Sequence, residues 1–155
     1  MAYQKLQAYR ALDVIPSDTV NIPNPAMLSV SSITTSNAAG KLIDTSQDFT
    51  TNGVKVGDII YAGTEAGTVI AIDSATQLSV GLFVIGNSVG YNIYNASDAP
   101  NNGCVLYSGV AQDISVETVG GDLVIFKGIQ AGSFIPVQVL RVATKASPKS
   151  IIALW

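Results

Sequence analysis

Three carboxylates are candidates for catalysis in this sequence. Asp113, Glu117 and Asp122 lie close together in the chain, and a pair of carboxylates is what glycoside hydrolysis requires. Such a pair needs a defined separation and a cleft, whereas these three acids fall at predicted strand ends and turns. We therefore interpret them as structural residues and expect a protein without enzymatic activity.

A second group of acids, Asp44, Asp48 and Asp58, raises the question of calcium binding. A calcium-binding loop supplies its ligands at alternate positions of one short segment. The spacing of these aspartates does not match such a loop. We predict that they are solvated turn residues and that the chain holds no metal ion.

Cysteine and histidine chemistry is equally limited. The chain has one cysteine, Cys104, and no histidine, so the commonest general base and metal ligand is missing. A single cysteine forms no intrachain disulfide. Because Cys104 sits between Gly103 and Val105 in an apolar segment, we predict a buried small hydrophobic residue and not a nucleophile. No cofactor is expected.

The composition points to a protein that is covered by partners. Of the 155 residues, 12% are charged and 48% are hydrophobic, with a mean hydropathy of +0.38, and the surface of a solitary soluble protein carries more charge. The net charge of −3 and the scattering of the eight basic residues argue against nucleic-acid binding. No apolar run is long enough to span a membrane. The N-terminus lacks a signal-peptide pattern, so we expect synthesis in the cytoplasm.

The chain is predicted to be all-β, because turn signals alternate with short β-branched or aromatic runs roughly every 8–12 residues. The predicted fold is an antiparallel β-sandwich or barrel unit with an inserted small β-barrel-like module and an extended N-terminal arm. We place the arm and first strand at 1–33, the inserted module at 34–96 and the C-terminal antiparallel unit at 97–155. The predicted strands are 27–33, 58–62, 68–72, 77–84, 89–94, 104–108, 114–118, 123–127, 134–144 and 151–154.

Two segments at the ends of the chain have more than one interpretation. Residues 2–12 could form a short helix striped by Leu6, Tyr9 and Leu12, but the prolines that follow favour an extended arm. The chain ends in IIALW, and a terminus is normally polar and frayed. Burial of Trp155 within its own domain and burial in a neighbouring subunit both remain open.

Residues 3–25 and 101–155 contain five short motifs. They are PSDTVNIP at 16–23, LY at 106–107, the FKG step at 126–128, FIPVQV at 134–139 and IIALW at 151–155. In this combination the two stretches, about half of the chain, resemble small virion structural proteins of tailed bacteriophages, of the spike-base or capsid-decoration type. The departure is the module at 41–95, which the short form of that family lacks and which is similar to small β modules of phage particles.

The resemblance implies a capsid decoration (cement) protein on the outer surface of the virion. We expect it to act as a homo-oligomer, a trimer, and to bridge copies of the major capsid protein. The residues expected to contact the shell or a neighbour are Tyr3, Leu6, Tyr9, Val14, Ile15, Val20 and Ile22. The residues expected to form subunit contacts are Phe134, Val137, Val139, Ile151, Ile152, Leu154 and Trp155.

Two alternatives stand beside this expectation. One keeps the chain in the virion but places it in the tail or spike base. The other is a carbohydrate-binding module that stacks sugar rings on Tyr61, Tyr91 and Tyr94 of the inserted segment.

Overall fold

The computed structural model describes residues 8–81 and 85–155 and confirms the all-β prediction, with 47% strand and 2% helix. The strands are β1 (Ala11–Asp13), β2 (Leu28–Ile33), β3 (Ser36–Ala38), β4 (Lys41–Ile43), β5 (Ile59–Ala62), β6 (Glu65–Thr68), β7 (Ala71–Ser74), β8 (Gln77–Ser79), β9 (Gly90–Tyr94), β10 (Cys104–Ser108), β11 (Gln112–Thr118), β12 (Leu123–Ile129), β13 (Ser133–Val142) and β14 (Ile151–Leu154). A 3₁₀ turn at Pro25–Met27 precedes β2. No helix in the described part of the chain has the length and apolar character needed to cross a membrane.

The chain divides into two compact units. The terminal unit combines the described part of Met1–Asp18 with Asn102–Trp155, and the middle unit is Thr19–Asn101. These boundaries differ from the predicted ones at 33/34 and 96/97. Strand β2, which the sequence analysis grouped with the arm, pairs with β9 of the middle unit, and its Val30 lies in the core of that unit.

The terminal unit is one antiparallel six-stranded sheet in the order β1-β14-β10-β13-β11-β12. Alternate side chains of each strand point to one face of the sheet. On that face lie the fully buried side chains of Leu106, Ile114, Val116 and Ile135. Residues at alternate positions of these strands therefore build the core of the terminal unit.

The N-terminal segment is part of this sheet rather than a free arm over its described length. Residues 11–13 form β1, which pairs with β14, and the Val14 N–H continues the ladder by donating to the Ile151 carbonyl oxygen at 2.9 Å. Strand β14 in turn lies between β1 and β10. A strand with a hydrogen-bonded neighbour on both sides has no free backbone edge. The backbone of the apolar terminus is therefore paired within its own chain.

The middle unit contains two four-stranded sheets, β2-β9-β5-β6 and β3-β4-β8-β7. Both sheets contribute to one hydrophobic core, in which Ile60 and Ile93 of the first meet Leu42 and Leu78 of the second. Phe49 adds a fully buried aromatic ring, which approaches the Tyr91 ring edge-on with centroids 6.4 Å apart.

Two local predictions for the middle unit are wrong. The segment at 35–40, in which no strand was predicted, contains β3 and the turn that leads to β4, where Gly40 adopts φ +66° and a side chain would press on the Gly81 carbonyl oxygen. The predicted strand 68–72 is two strands, because β6 pairs with β5 in one sheet and β7 pairs with β8 in the other. The predicted strand at 77–84 is shorter in the structure: β8 ends at Ser79, residues 80 and 81 are not strand, and 82–84 lie outside the described part.

Candidate interaction surfaces

The acids considered for catalysis do not gather into a pair. Asp113 accepts a hydrogen bond from the Gly128 N–H at 2.8 Å, and Glu117 forms an ion pair with Arg141 on the adjacent strand. Asp122 lies exposed in the turn between β11 and β12. The carboxylates of Asp113 and Glu117 contact a backbone N–H and an arginine, and neither contact sets two carboxylates against each other.

Asp48 of the second acidic group is an exposed turn residue as predicted. Its carboxylate accepts hydrogen bonds from the side chains and backbone N–H groups of Thr50 and Thr51. These bonds, the Thr50 hydroxyl first among them, lower the pKa of Asp48 to about 2. The carboxylate thus closes a local turn.

Asp44 and Asp58 are buried, so their prediction as solvated residues is wrong. Asp44 accepts from the Tyr91 hydroxyl at 2.7 Å and from the N–H and hydroxyl of Ser46. Asp58 accepts from the N–H groups of Lys55 at 2.9 Å and Ala96 at 3.3 Å, and burial raises its pKa. Buried carboxylates need such donors because an unpaired one is costly.

Metal-binding geometry is not present in the described residues. Within 8–81 and 85–155, no group of three or more His, Cys, Asp or Glu side chains is placed to hold a metal ion. Cys104 is buried, as predicted, and its Sγ lies 3.4 Å from the Val139 carbonyl oxygen.

The tyrosines proposed as a sugar-stacking platform are buried. Tyr61, Tyr91 and Tyr94 each expose less than a tenth of their surface. The rings of Tyr61 and Tyr94 contact each other edge to face, with centroids 6.0 Å apart. A stacking platform must present ring faces to solvent. These three buried tyrosines therefore do not form the carbohydrate-binding site that was considered for them.

The predicted shell contacts fall into three groups. Tyr3 and Leu6 lie outside the described residues. Tyr9 is 79% exposed, and Val14 and Ile15 are half-buried. Val20 and Ile22 are buried within the chain itself, so the prediction that they contact a shell is corrected.

The predicted subunit contacts also divide. The side chains of Val139 and Ile151 are buried, because both point to the inner face of the terminal sheet, and their prediction as subunit contacts is corrected. Val137, Ile152, Leu154 and Trp155 are half-buried, and Phe134 is 58% exposed.

Three of these accessible residues lie together on the outer face of the terminal sheet. Directly opposed residues in antiparallel strands share a face, and the register pairs Tyr107 with both Phe134 and Ile152, and Val105 with Leu154. The rings of Tyr107 and Phe134 are 5.4 Å apart. We call this group the outer-face patch; its members are Val105, Tyr107, Phe134, Ile152 and Leu154.

A second surface, the β12 edge, was missed by the sequence analysis. Among the described strands, β12 has one hydrogen-bonded neighbour, β11, and it exposes Leu123 (69%), Val124 (38%) and Ile125 (40%). Its run LVIF was read only as a strand. A continuous apolar run is typical of a strand covered on both faces, and that signal, applied to 123–126, distinguishes this strand from a half-buried one.

Comparison of the chain with protein-family models, with curated proteins and with solved structures finds no match.

Proposed function

We propose that this chain is a non-enzymatic structural protein of a tailed-bacteriophage virion, a decoration protein of the outer capsid surface that acts as a homo-oligomer. One observation carries the proposal. Part of the N-terminal stretch that resembles phage virion proteins, residues 11–13, lies in one sheet with strands of the C-terminal stretch, because β1 pairs with β14 and β14 pairs with β10. The stretch continues through 16–18 in the terminal unit, and from Thr19 onward it belongs to the middle unit. A resemblance spread over both ends is coherent when the ends form one folded unit.

The surface of the terminal unit supports a role in contact rather than in chemistry. The outer-face patch and the β12 edge leave large apolar side chains accessible, led by Leu123 and Phe134. Exposed apolar surface of this kind marks sites of protein–protein interaction. The low share of charged residues, 12%, fits a protein whose surface is covered in its assembly.

The proposed mechanism is mechanical. A shell that holds DNA under pressure is weakest where its capsomers meet. A bound protein that contacts two neighbouring copies of the major capsid protein adds apolar burial across that junction. In this arrangement the outer-face patch contacts the major capsid protein, and burial of Phe134 provides a central anchor, as aromatic residues do at interfaces.

The copy number of the chain in purified particles tests the proposal. The particles come from a tailed phage whose genome encodes this sequence, and the chain is quantified by mass spectrometry against the major capsid protein. On the order of hundreds of copies per particle are expected for a decoration protein, because head lattices repeat their sites many times. About a dozen copies or fewer would place the chain in the tail or spike base. Absence from particles would overturn the virion role.

A pair of matched variants tests the surface. Phe134 and Ile33 are both 58% exposed, but Ile33 belongs to β2 of the middle unit. Phe134→Asp should abolish binding of the purified protein to capsids that lack it, whereas Ile33→Asp should bind as the parent does. Both should keep the parent's thermal transition, since neither side chain is in a core. Equal binding by all three proteins would remove the outer-face patch from the proposal.

A further inference from the structure

Within the described residues, strand β12 is an edge strand whose protection is limited to one charged residue and a register shift near its C-terminal end. An edge strand presents unpaired backbone N–H and C=O groups. Proteins normally prevent its pairing with other chains by charged residues, proline, a bulge or a short strand length. The seven residues of β12 contain one charged side chain, Lys127, and no proline. Apolar side chains are exposed on both of its faces, Val124 on one and Leu123 and Ile125 on the other.

The pairing with β11 determines which backbone groups of β12 are free. The Thr118 N–H donates to the Asp122 carbonyl oxygen at 2.9 Å, and the Asp122 N–H donates to the Thr118 hydroxyl at 3.2 Å, so the backbone of Asp122 is directed toward β11. In an antiparallel ladder this direction recurs at every second residue, so Val124 and Phe126, the partners of Val116 and Ile114, also direct their backbone groups toward β11. The groups of Leu123 and Ile125 therefore point away from the sheet, and Lys127 follows them just before the register shift that precedes Ile129.

We propose that a second copy of this chain covers the β12 edge by adding its own β12 antiparallel, about a two-fold axis at Ile125. Ile125 then faces the same residue of the second copy, and Leu123 of each copy faces Lys127 of the other. The inference supplies a contact for the homo-oligomer and rests on the proposed function for its setting. The occupant is a second copy because the strand is complementary to itself in this register.

The self-complementarity follows from the side chains. On the face that continues the core, each Val124 faces a Phe126 of the other copy, and branched–aromatic pairs stabilise neighbouring strands. On the other face, the methylene stem of Lys127 covers Leu123 while its ammonium group stays in water. The free edge thus gains backbone hydrogen bonds and apolar cover together.

Neighbouring registers are less favourable. Only shifts that keep the outward-pointing residues opposite one another form hydrogen bonds. An axis at Lys127 sets two ammonium groups face to face, and like charges directly opposite are destabilising. An axis at Phe126 leaves Val124 facing Gly128, which has no side chain to cover it. An axis at Val124 sets the Phe126 ring against the carboxylate of Asp122.

Molar mass in solution tests the contact on the full chain. Light scattering across a dilution series should give a dimer, or a larger assembly of even copy number, for the parent. Ile125→Lys should halve that mass and weaken association by about tenfold or more, because it places two charges at the axis. The matched control is Ile70→Lys, since Ile70 is similarly exposed at 56% but lies in the middle unit. A monomeric parent, or a trimer unchanged by Ile125→Lys, would overturn the proposal.

Disulfide trapping tests the register. Oxidised Ile125→Cys should form a covalent dimer on a non-reducing gel, because directly opposed residues meet the distance a disulfide requires. Lys127→Cys should not link to itself, and combined with Leu123→Cys it should. Cys104 is buried, so the unmodified chain serves as the blank. If Lys127→Cys alone links as readily as Ile125→Cys, the two-fold axis at Ile125 is wrong.

The outcomes for this contact and for the virion role are separable. Particles that contain the chain in high copy, together with an Ile125→Lys variant that still binds capsids and a monomeric parent, would reject the β12 pairing alone. Absence of the chain from particles would reject the virion role, whatever its mass in solution.

Discussion

Trp155 and Arg10 are joined backbone to backbone at the two ends of the terminal unit. The Trp155 N–H donates to the Arg10 carbonyl oxygen at 3.1 Å, and the Arg10 N–H donates to the Trp155 carbonyl oxygen at 3.4 Å. The Tyr9 N–H also donates to the Trp155 carbonyl oxygen, at 2.7 Å. These bonds extend the β1–β14 ladder, so the last residue is held by the chain's own N-terminal segment.

Removal of residues 151–155 should therefore unfold the terminal unit rather than release monomers from an oligomer. The truncation deletes the strand between β1 and β10 and the buried side chains of Ile151 and Ala153. Ile151→Ala alone should cost about 2–5 kcal/mol of unfolding free energy, as truncations of buried aliphatic side chains do. Hydrogen exchange should show lost amide protection in β10, β11 and β13 and unchanged protection in β5 and β9. A truncated chain that keeps the protection of β10 would contradict this.

Tyr91→Phe should destabilise the middle unit and increase its sensitivity to acid. Burial raises the pKa of Asp44, but hydrogen bonds from Ser46, Ser32 and Tyr91 outweigh it and hold that pKa below its ordinary value. A carboxyl with a lowered folded-state pKa stabilises the fold at neutral pH and loses that contribution as the pH falls through the folded-state pKa. Loss of the Tyr91 donor should cost about 1–3 kcal/mol.

The measurement for Tyr91→Phe is denaturant unfolding at pH 7 followed by acid titration. Without the hydroxyl the pKa of Asp44 rises, so the acid-unfolding midpoint should move to higher pH. Tyr94→Phe is the control, because burial alone raises the pKa of Tyr94. Identical acid midpoints for the two variants would show that the Asp44 contact does not contribute.

Gly103→Ala should strongly destabilise the terminal unit. A Cβ at this position would lie 2.6 Å from Val119 Cγ2 and 2.7 Å from Gln138 Oε1, and the backbone φ is +110°. Gly121→Ala is the matched control, since its φ is +86° but a Cβ there meets nothing within 4 Å. Backbone strain of about 1–3 kcal/mol is shared by both variants, so the larger loss for Gly103→Ala, read by denaturant unfolding, measures the steric clash. Equal losses would mean that Val119 and Gln138 move aside freely.

The middle unit should fold alone when expressed as residues 19–101. Its core cluster draws only on residues between Val30 and Ile93. The shorter segment 34–97 lacks β2, which pairs with β9 and places Val30 in that core. We expect a cooperative thermal transition for 19–101 and a lower midpoint, or none, for 34–97. Equal midpoints would show that β2 contributes little to the unit.

The identity of most strands could be read from local sequence. The predicted strand 104–108 coincides with β10, and 58–62 differs from β5 by one residue. Flanking turn residues and β-branched runs are local signals; β10 also alternates in burial along the strand, whereas β5 is buried at all four positions. The same reasoning failed at 68–72, since local alternation does not reveal that the chain leaves one sheet between β6 and β7 and enters another.

The residue types also determined, before any fold was known, that histidine chemistry and an intrachain disulfide are excluded, because the chain has no histidine and one cysteine. Only the tertiary structure decided which apolar side chains are available for contact. Ile151 and Ile152 are identical in type and adjacent in sequence, yet one is buried and the other half-exposed. The physical reason is that burial depends on partners far away in the chain. Strand β14 acquires its inner and outer faces only by pairing with β1 and β10, whereas β12 stays exposed because the described chain supplies no strand for its outer edge.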